Sequence, residues 1–182
     1  MIRYVLVMLL MTTPALAQDT GLEVWNKIYE VFSHPRCANC HVGPDNVPIW
    51  SGPSYGPTRP HAMNINGGAS RSGAEHIACN SCHTHHNSQL PHGPPGAAVW
   101  LLPPVSMQWF DKSSAEICAQ IKDPKRNGNR TIAKVEAHID HDALVHWGWA
   151  PGPGREPAPF SAAQLFGFIK QWDAAGAPCP PK

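Results

Sequence analysis

The sequence has no long apolar run after its first 17 residues and no surplus of charge of either sign. A membrane-spanning helix needs about 20 consecutive apolar residues, so we expect none in the remainder of the chain. Lys and Arg number 14 and Asp and Glu number 13, so the concentrated basic surface that nucleic-acid binding requires is missing. The sequence therefore excludes nucleic acid as a partner and predicts no membrane span.

The first 17 residues have the three parts of a secretory signal peptide. Arg3 gives a positive start, an apolar segment runs from Tyr4 to Met11, and Ala15-Leu16-Ala17 forms a small-x-small cleavage site. The apolar segment is too short to span a bilayer, and no cysteine follows the cleavage site to carry a lipid anchor. We predict a signal peptide at residues 1–17 and an exported, periplasmic protein at residues 18–182, against the alternative of an uncleaved anchor.

Proline and glycine are abundant, with 20 and 15 residues, which approaches the composition of low-complexity disorder. Seven tryptophans, spread from Trp25 to Trp172, argue against that class because disordered chains are poor in aromatic residues. Both observations fit a single loop-rich domain that packs around something other than its own secondary structure.

Three segments begin with a capping box, in which Ser or Thr is followed three residues later by Glu or Gln: Thr20–Glu23, Ser113–Glu116 and Ser161–Gln164. Apolar residues at helical spacing follow each box, and a fourth helix is predicted from Ile132 to about His138. The segments 43–73 and 83–104 lack periodicity and are predicted to be loops. The fold is therefore predicted to be mainly α and loop-rich.

Four of the six cysteines lie in two Cys-x-x-Cys-His motifs, here called the first motif (residues 37–41) and the second motif (residues 79–83). Two residues between the cysteines let one turn of backbone present both sulfurs to the vinyl groups of one porphyrin, and the next residue directs its imidazole to the iron. Each motif predicts one covalent haem c. The thioether anchors would be Cys37, Cys40, Cys79 and Cys82, and the proximal iron ligands would be His41 and His83.

Zinc is the alternative occupant, because paired Cys-x-x-Cys motifs also build four-cysteine sites. The histidine after each pair, and the risk of thiol oxidation in an exported protein, favour haem. A thioredoxin-type redox pair is disfavoured because neither motif lies in a βαβ pattern. The two remaining cysteines, Cys118 and Cys179, are predicted to form a disulfide with each other.

The motifs begin 42 residues apart, which is too little for two complete tandem cytochrome domains. We therefore expect one cytochrome c-like domain at residues 18–182, organised around two haems that are close enough to exchange electrons.

The second axial position of each iron decides function, because a protein ligand there favours electron transfer and an open position allows substrate or gas chemistry. Nine further histidines and two methionines of the mature chain could fill these positions. His61, on the loop between the motifs, is the candidate distal ligand for one haem. Met107, in a proline-containing loop like that of small cytochromes c, or His138, near the end of a helix, is the candidate for the other.

Several stretches resemble a group of small exported dihaem cytochromes that are associated with isoquinoline 1-oxidoreductase and related periplasmic molybdenum hydroxylases. Besides the second motif, the stretches that carry the resemblance are residues 34–37, 117–124, 144–149 and 176–180. The resemblance covers nearly the whole mature chain. It implies an electron-transfer subunit of, or acceptor for, a molybdenum hydroxylase.

Electron transfer is therefore the function that the sequence predicts, with a dehydrogenase or hydroxylase as the redox partner and no catalytic residues of its own. A haem enzyme of peroxidase or reductase type, with one open axial position, is the alternative that the surplus of histidines leaves open. A gas or redox sensor ranks last because the chain has no attached output domain.

Overall fold

The computed structural model describes residues 20–73 and 77–182, and the predicted signal peptide at residues 1–17 lies outside them. Long irregular segments and one hairpin join six helices in these residues: α1 (Gly21–Phe32), α2 (Pro35–Ala38), α3 (Ser114–Lys122), α4 (Ile132–His141), α5 (Ala143–His146) and α6 (Ala162–Ala174), with strands β1 (Ile49–Trp50) and β2 (Arg59–Pro60). The prediction of a mainly α, loop-rich fold is confirmed. None of the helices in this part of the chain is long and apolar enough to cross a membrane.

All three predicted capping boxes form at helix starts. At α1 the Thr20 hydroxyl accepts a hydrogen bond from the Glu23 amide, and the Glu23 carboxylate accepts one from the Thr20 amide at 2.6 Å. The pairs Ser113–Glu116 and Ser161–Gln164 do the same at α3 and α6. These side chains satisfy N–H groups that have no partner within the helix, which is why the sequence locates the starts so well. The fourth predicted helix, α4, ends at His141.

The apolar core lies among α1, α3, α4 and α6. Its fully buried side chains include Val24, Trp25, Ile28, Ile117, Ile121, Leu165, Ile169 and Trp172. The rings of Trp25 and Trp172 have centroids 4.9 Å apart, and each indole N–H has an acceptor, Ser114 for the first and the Pro178 carbonyl for the second. Two large rings thus bury their apolar area without leaving a polar group unpaired.

Each motif begins in a short helical turn. The first begins on α2, where Pro35 takes the first helical position and the N-cap His34 accepts a hydrogen bond from the Arg36 amide at 3.2 Å. Proline suits this position because its φ is already helical and it has no N–H to satisfy. The second motif begins with a 3₁₀ turn at Cys79–Ser81. A helical turn brings two cysteines three residues apart to the same side of the backbone, as attachment to one porphyrin requires.

The segment 43–73, predicted as loop, contains the β1–β2 hairpin, in which Ile49–Trp50 pairs antiparallel with Arg59–Pro60. Only two residue pairs form, so no alternating pattern marks these strands in the sequence. The hairpin continues into a hydrogen bond of 2.9 Å from the His61 amide to the Pro48 carbonyl. Its role in the site is to hold His61 in place.

The predicted disulfide between Cys118 and Cys179 is confirmed, with Cα atoms 5.7 Å apart. It joins the buried face of α3 to the segment that follows α6. The bridge closes a long loop, with 61 residues of sequence separation. In a chain with so much irregular structure, such a loop closure removes many conformations from the unfolded state.

Replacing both cysteines, as Cys118→Ala with Cys179→Ala, is expected to lower the free energy of unfolding by about 4 kcal/mol, because the unfolded chain regains the entropy of that loop. Denaturant unfolding measures the loss. Treating the wild type with a reductant should produce the same loss and leave the double variant unchanged. Equal stability of variant and wild type would show that the bridge does not constrain the unfolded chain.

Candidate functional site

One cleft brings residues of both motifs together. Its walls include Cys40 of the first motif and Cys79, Cys82 and His83 of the second. The cavity volume of the cleft is about 240 Å³, and many of its other lining residues are apolar, among them Ile49, Ile65, Trp100, Leu102 and Trp147. Cofactor pockets are typically clefts lined mainly by apolar and aromatic side chains. The walls of the cleft therefore suit an apolar group.

The imidazole of His83 is fixed on two sides. Its Nδ1 donates a hydrogen bond of 2.9 Å to the Pro95 carbonyl, and the Trp100 indole stacks on it with centroids 4.3 Å apart and planes at 5°. Because a carbonyl can only accept, the proton lies on Nδ1 and Nε2 keeps its lone pair. This is the arrangement that orients metal-binding histidines in proteins.

His61 lies near His83 in the same cleft, with ring centroids 6.0 Å apart. Two imidazoles that bind one metal ion from opposite faces have centroids about 6.3 Å apart, since each metal–nitrogen bond is about 2.0–2.1 Å and each nitrogen lies about 1.1 Å from its ring centre. The His61 Nδ1 donates to the Ala62 carbonyl at 2.9 Å, which leaves its Nε2 with a lone pair too. The ring spacing and the Nδ1 contacts of the pair would therefore allow both imidazoles to hold one metal ion through Nε2.

His41 of the first motif is held by residues 107–110. Its Nδ1 donates to the Met107 carbonyl at 2.7 Å, and its own carbonyl accepts from the Trp109 and Phe110 amides at 2.8 and 3.0 Å. The Trp109 indole stacks on the imidazole with centroids 3.5 Å apart and planes at 1°. The first motif thus repeats the arrangement of the second: a carbonyl on Nδ1, an indole on the ring face, and Nε2 left for a metal.

Sequence reasoning missed these two supports. The stacking tryptophans end two copies of the pattern Pro-Pro-x-x-x-x-Trp, at residues 94–100 and 103–109. The first copy holds His83 and the second holds His41. The repeat is short, but it was the available signal that the chain contains two equivalent supports for imidazole rings.

His138 and Met107 were predicted as alternative distal ligands for one of the two haems, without assignment to a motif, and they lie differently relative to His41. Met107 contacts the Nδ1 side of the ring through its carbonyl, which is the side away from any iron bound at Nε2. His138, on α4, lies near enough to His41 to contribute to its lowered pKa. The His138 Nδ1 pairs with the Asp142 carboxylate at 3.6 Å, as in the carboxylate–histidine pairs that support metal ligands.

The protonation states in the two motifs follow from burial. Burial lowers the pKa of His41 to about 3 and that of His83 to about 4, so both rings are neutral near pH 7, the form that binds a metal. Burial raises the pKa of the Cys37 thiol to about 12. It also raises that of Cys40 to about 11, with Cys79 adding to the rise against the opposing charges of Arg36 and Arg71. The influence of Cys79 on Cys40 reflects how close the two motifs are.

The motif cysteines are free thiols, in contrast to the bridged Cys118 and Cys179. Within residues 20–73 and 77–182, no group of three or more His, Cys, Asp or Glu side chains is placed to hold a metal ion. The two pairs are therefore not gathered into one four-cysteine cluster. Each motif instead combines two thiols, an oriented imidazole and apolar surroundings. The cleft wall adds a buried nitrogen, Nε of Arg36, that has no hydrogen-bond partner in the described part of the chain. These residues fit a covalent haem with acidic side groups.

Replacing Trp109 with Ala should lower the free energy of unfolding by about 3–5 kcal/mol, because this buried indole packs on both His41 and Phe32. Trp100→Ala is the matched control: the half-buried Trp100 stacks on His83 in the same way, so a smaller loss is expected. Denaturant unfolding of the two variants measures both values. Equal losses would contradict the greater structural role assigned to Trp109.

Comparison of this chain with models of protein families, with curated protein sequences and with solved structures finds no match. The side chains of the two motifs and of the cleft therefore carry the inference of function.

Proposed function

We propose that this chain is a dihaem c-type cytochrome that transfers electrons in the periplasm. The observation that carries the proposal is the pair His61 and His83, with centroids 6.0 Å apart and Nδ1 of both rings engaged by carbonyls. A haem held between two such imidazoles has no position for a substrate, which favours electron transfer over catalysis.

The haem would supply an iron that cycles between the ferric and ferrous states. Cys79 and Cys82 would anchor it at the second motif, and Cys37 and Cys40 would anchor another at the first. Fixed covalent attachment and fixed imidazoles limit structural change between oxidation states, which is the property an electron carrier needs.

At the first motif we propose that His41 and His138 would hold the haem through their Nε2 atoms. The Met107 carbonyl accepts the hydrogen bond from His41 Nδ1, so this contact lies on the side of the ring opposite Nε2. His138 has its Nδ1 turned toward Asp142, so its Nε2 is the nitrogen available to a metal. These contacts favour His138 over Met107.

The closeness of the motifs supports electron exchange between the two haems. Cys40 of the first motif lines the cleft that also contains Cys79 and Cys82 of the second. Two redox centres attached to adjoining walls relay an electron farther than one centre does, which gives a physical reason for two motifs in one domain.

The surface around the second motif suits contact with a redox partner. Residues 76–110 contain no Asp, Glu, Lys or Arg. Three of their large apolar side chains are exposed and do not line the cleft: Leu90, Val99 and Val105. Exposed apolar surface without charge is typical of protein contact sites. The partner would be a dehydrogenase or hydroxylase, and the sequence resemblance points to a periplasmic molybdenum hydroxylase.

Replacing the cysteine pair of one motif at a time should remove one haem at a time. In cells that attach haem to Cys-x-x-Cys-His motifs, the wild type should carry two haems, and Cys37→Ala/Cys40→Ala or Cys79→Ala/Cys82→Ala should carry one. Intact mass and haem absorbance per chain measure the count. The Cys118→Ala/Cys179→Ala variant is the control and should keep both. A wild type that accumulates with zinc or without haem would overturn the proposal.

Removing the proposed distal ligands should open the iron to carbon monoxide. The wild type should contain two low-spin haems and bind none; His61→Ala and His138→Ala should each create one high-spin, carbon monoxide-binding haem per chain. Met107→Leu is the matched control and should stay low-spin. Absorption spectra of the reduced protein with and without carbon monoxide give the count. A wild type that already binds carbon monoxide would favour a haem enzyme instead.

A further inference from the structure

Two arginines stand out on the wall of the cleft. Arg36 and Arg155 are the charged residues among the described side chains that line it, and no acidic residue is among those side chains. A cleft with apolar walls, two cations and no acid has an electrostatic preference for an anion. The anion has to be one that also fits an apolar cleft.

Arg36 is buried, with its side chain 3% exposed, yet its guanidinium is only partly satisfied. Nη2 donates to the Ser51 carbonyl at 2.9 Å and to the Glu156 carboxylate at 3.2 Å. The buried Nε has no hydrogen-bond partner among the described residues. A buried donor without an acceptor destabilises the folded protein, so a ligand atom that accepts a hydrogen bond from Nε would remove that cost.

Arg155 differs from Arg36: all three of its nitrogens donate hydrogen bonds, but only to neutral acceptors. Nε donates to the Tyr55 hydroxyl at 2.5 Å, Nη1 to the Pro151 carbonyl at 3.3 Å, and Nη2 to the Gly93 carbonyl. No carboxylate of the described residues pairs with it. Its positive charge at the cleft wall is therefore uncompensated within this part of the protein.

Tyr55 places the two cations on one edge of the cleft. The guanidinium carbons of Arg36 and Arg155 lie 5.4 and 5.9 Å from the centre of its ring. Glu156 offsets part of the Arg36 charge; burial opposes its ionisation, but hydrogen bonds from Ser54 and the charge of Arg36 keep the pKa of this carboxyl below its ordinary value. One edge of the cleft thus offers two guanidinium groups beside a single ionised acid.

We propose that Arg36 and Arg155 bind the two propionate carboxylates of the haem attached at Cys79 and Cys82. The inference rests on the proposed function, because it names the residues that receive the acidic edge of that haem. Arg36 would donate a hydrogen bond from its free Nε to a carboxylate oxygen, and Arg155 would gain the counter-ion that it lacks. A guanidinium facing a carboxylate is a strong pair when water is excluded.

The assignment links the two motifs. Arg36 directly precedes Cys37, so a residue on the helix of the first motif would hold the haem of the second. Any shift of α2 at the first site would then move a positive charge beside the second. The two haems would be coupled by this side chain as well as by their nearness.

The experiment replaces each arginine in the haem-loaded protein, as Arg36→Gln and Arg155→Gln, and follows reduction of the two haems by spectroelectrochemical titration. Loss of a cation beside a haem stabilises the ferric form, which carries one more positive charge. At the wild-type midpoint potential of the affected haem, the ratio of reduced to oxidised haem should fall at least tenfold, ~59 mV for a one-electron couple.

Arg59→Gln is the matched control. Arg59 is exposed and lies over Trp50, a lining residue, with 5.3 Å to the ring centre, so this change removes the same charge near the cleft but outside it. In Arg59→Gln, the ratio of reduced to oxidised haem at the wild-type midpoint potential should change less than twofold. Arg36→Lys keeps the charge and loses the Nε donor. Its ratio of reduced to oxidised haem should therefore lie between the ratios of the wild type and Arg36→Gln. If Arg36→Gln does not fold, the ratios measured for Arg155→Gln and Arg36→Lys test the proposal instead.

A positioning role predicts a second readout. A carboxylate that has lost its guanidinium takes up a proton more readily, so the potential of the affected haem should become more dependent on pH between about pH 5 and 8. Unchanged ratios and unchanged pH dependence in variants that retain both haems would overturn this inference alone. A wild type that carries no haem would overturn the proposed function itself, so the two failures are distinguishable.

Discussion

The hydrogen bond from Nδ1 of His41 to the Met107 carbonyl is the contact on which the first half of the site depends. It sets the tautomer of the ring, directs Nε2 away from residues 107–110, and joins α2 to a loop that runs directly into α3. The same segment returns two amide hydrogen bonds to the His41 carbonyl. Backbone and side chain of one residue are thus held by one stretch of chain, which leaves the ring little freedom to rotate.

The imidazole of the second motif, His83, is also held in one orientation, but by different contacts. Its ring is held by the Pro95 carbonyl, and the loop that supplies this carbonyl is tied down by Asn87. The Asn87 side chain accepts from the Gly96 amide and the Trp147 indole and donates to the Ala150 carbonyl. One asparagine therefore substitutes for the helical framework that surrounds the first motif. Two imidazoles reach equivalent states, one supported by core helices and the other by a network of loops.

The sequence predicted the features that depend on neighbours in the chain. The capping boxes at Thr20, Ser113 and Ser161 are local patterns of side-chain chemistry, and each marks a helix start. The carbonyl acceptors of His41 and His83 could not be predicted this way, because every residue has a carbonyl and none is distinguished by type. The contact of Arg36 with Glu156 spans 120 residues and has no local signature either. Two features with local signatures were nevertheless missed: the repeated Pro-Pro-x-x-x-x-Trp pattern, and helix α5, which Asp142 caps.

The distances along the chain have a consequence for how the protein matures. His83 is separated from its acceptor Pro95 by 12 residues, whereas His41 is separated from Met107 by 66. During synthesis the first motif emerges early, but the groups that contact its ring, the Met107 carbonyl and the Trp109 indole, emerge only after the whole of the second motif and its tryptophan. The groups that contact the second ring directly, the Pro95 carbonyl and the Trp100 indole, are complete nine residues sooner, although the Asn87 network behind them also needs Trp147 and Ala150. The motif that is made first is therefore the one whose imidazole receives its direct contacts last.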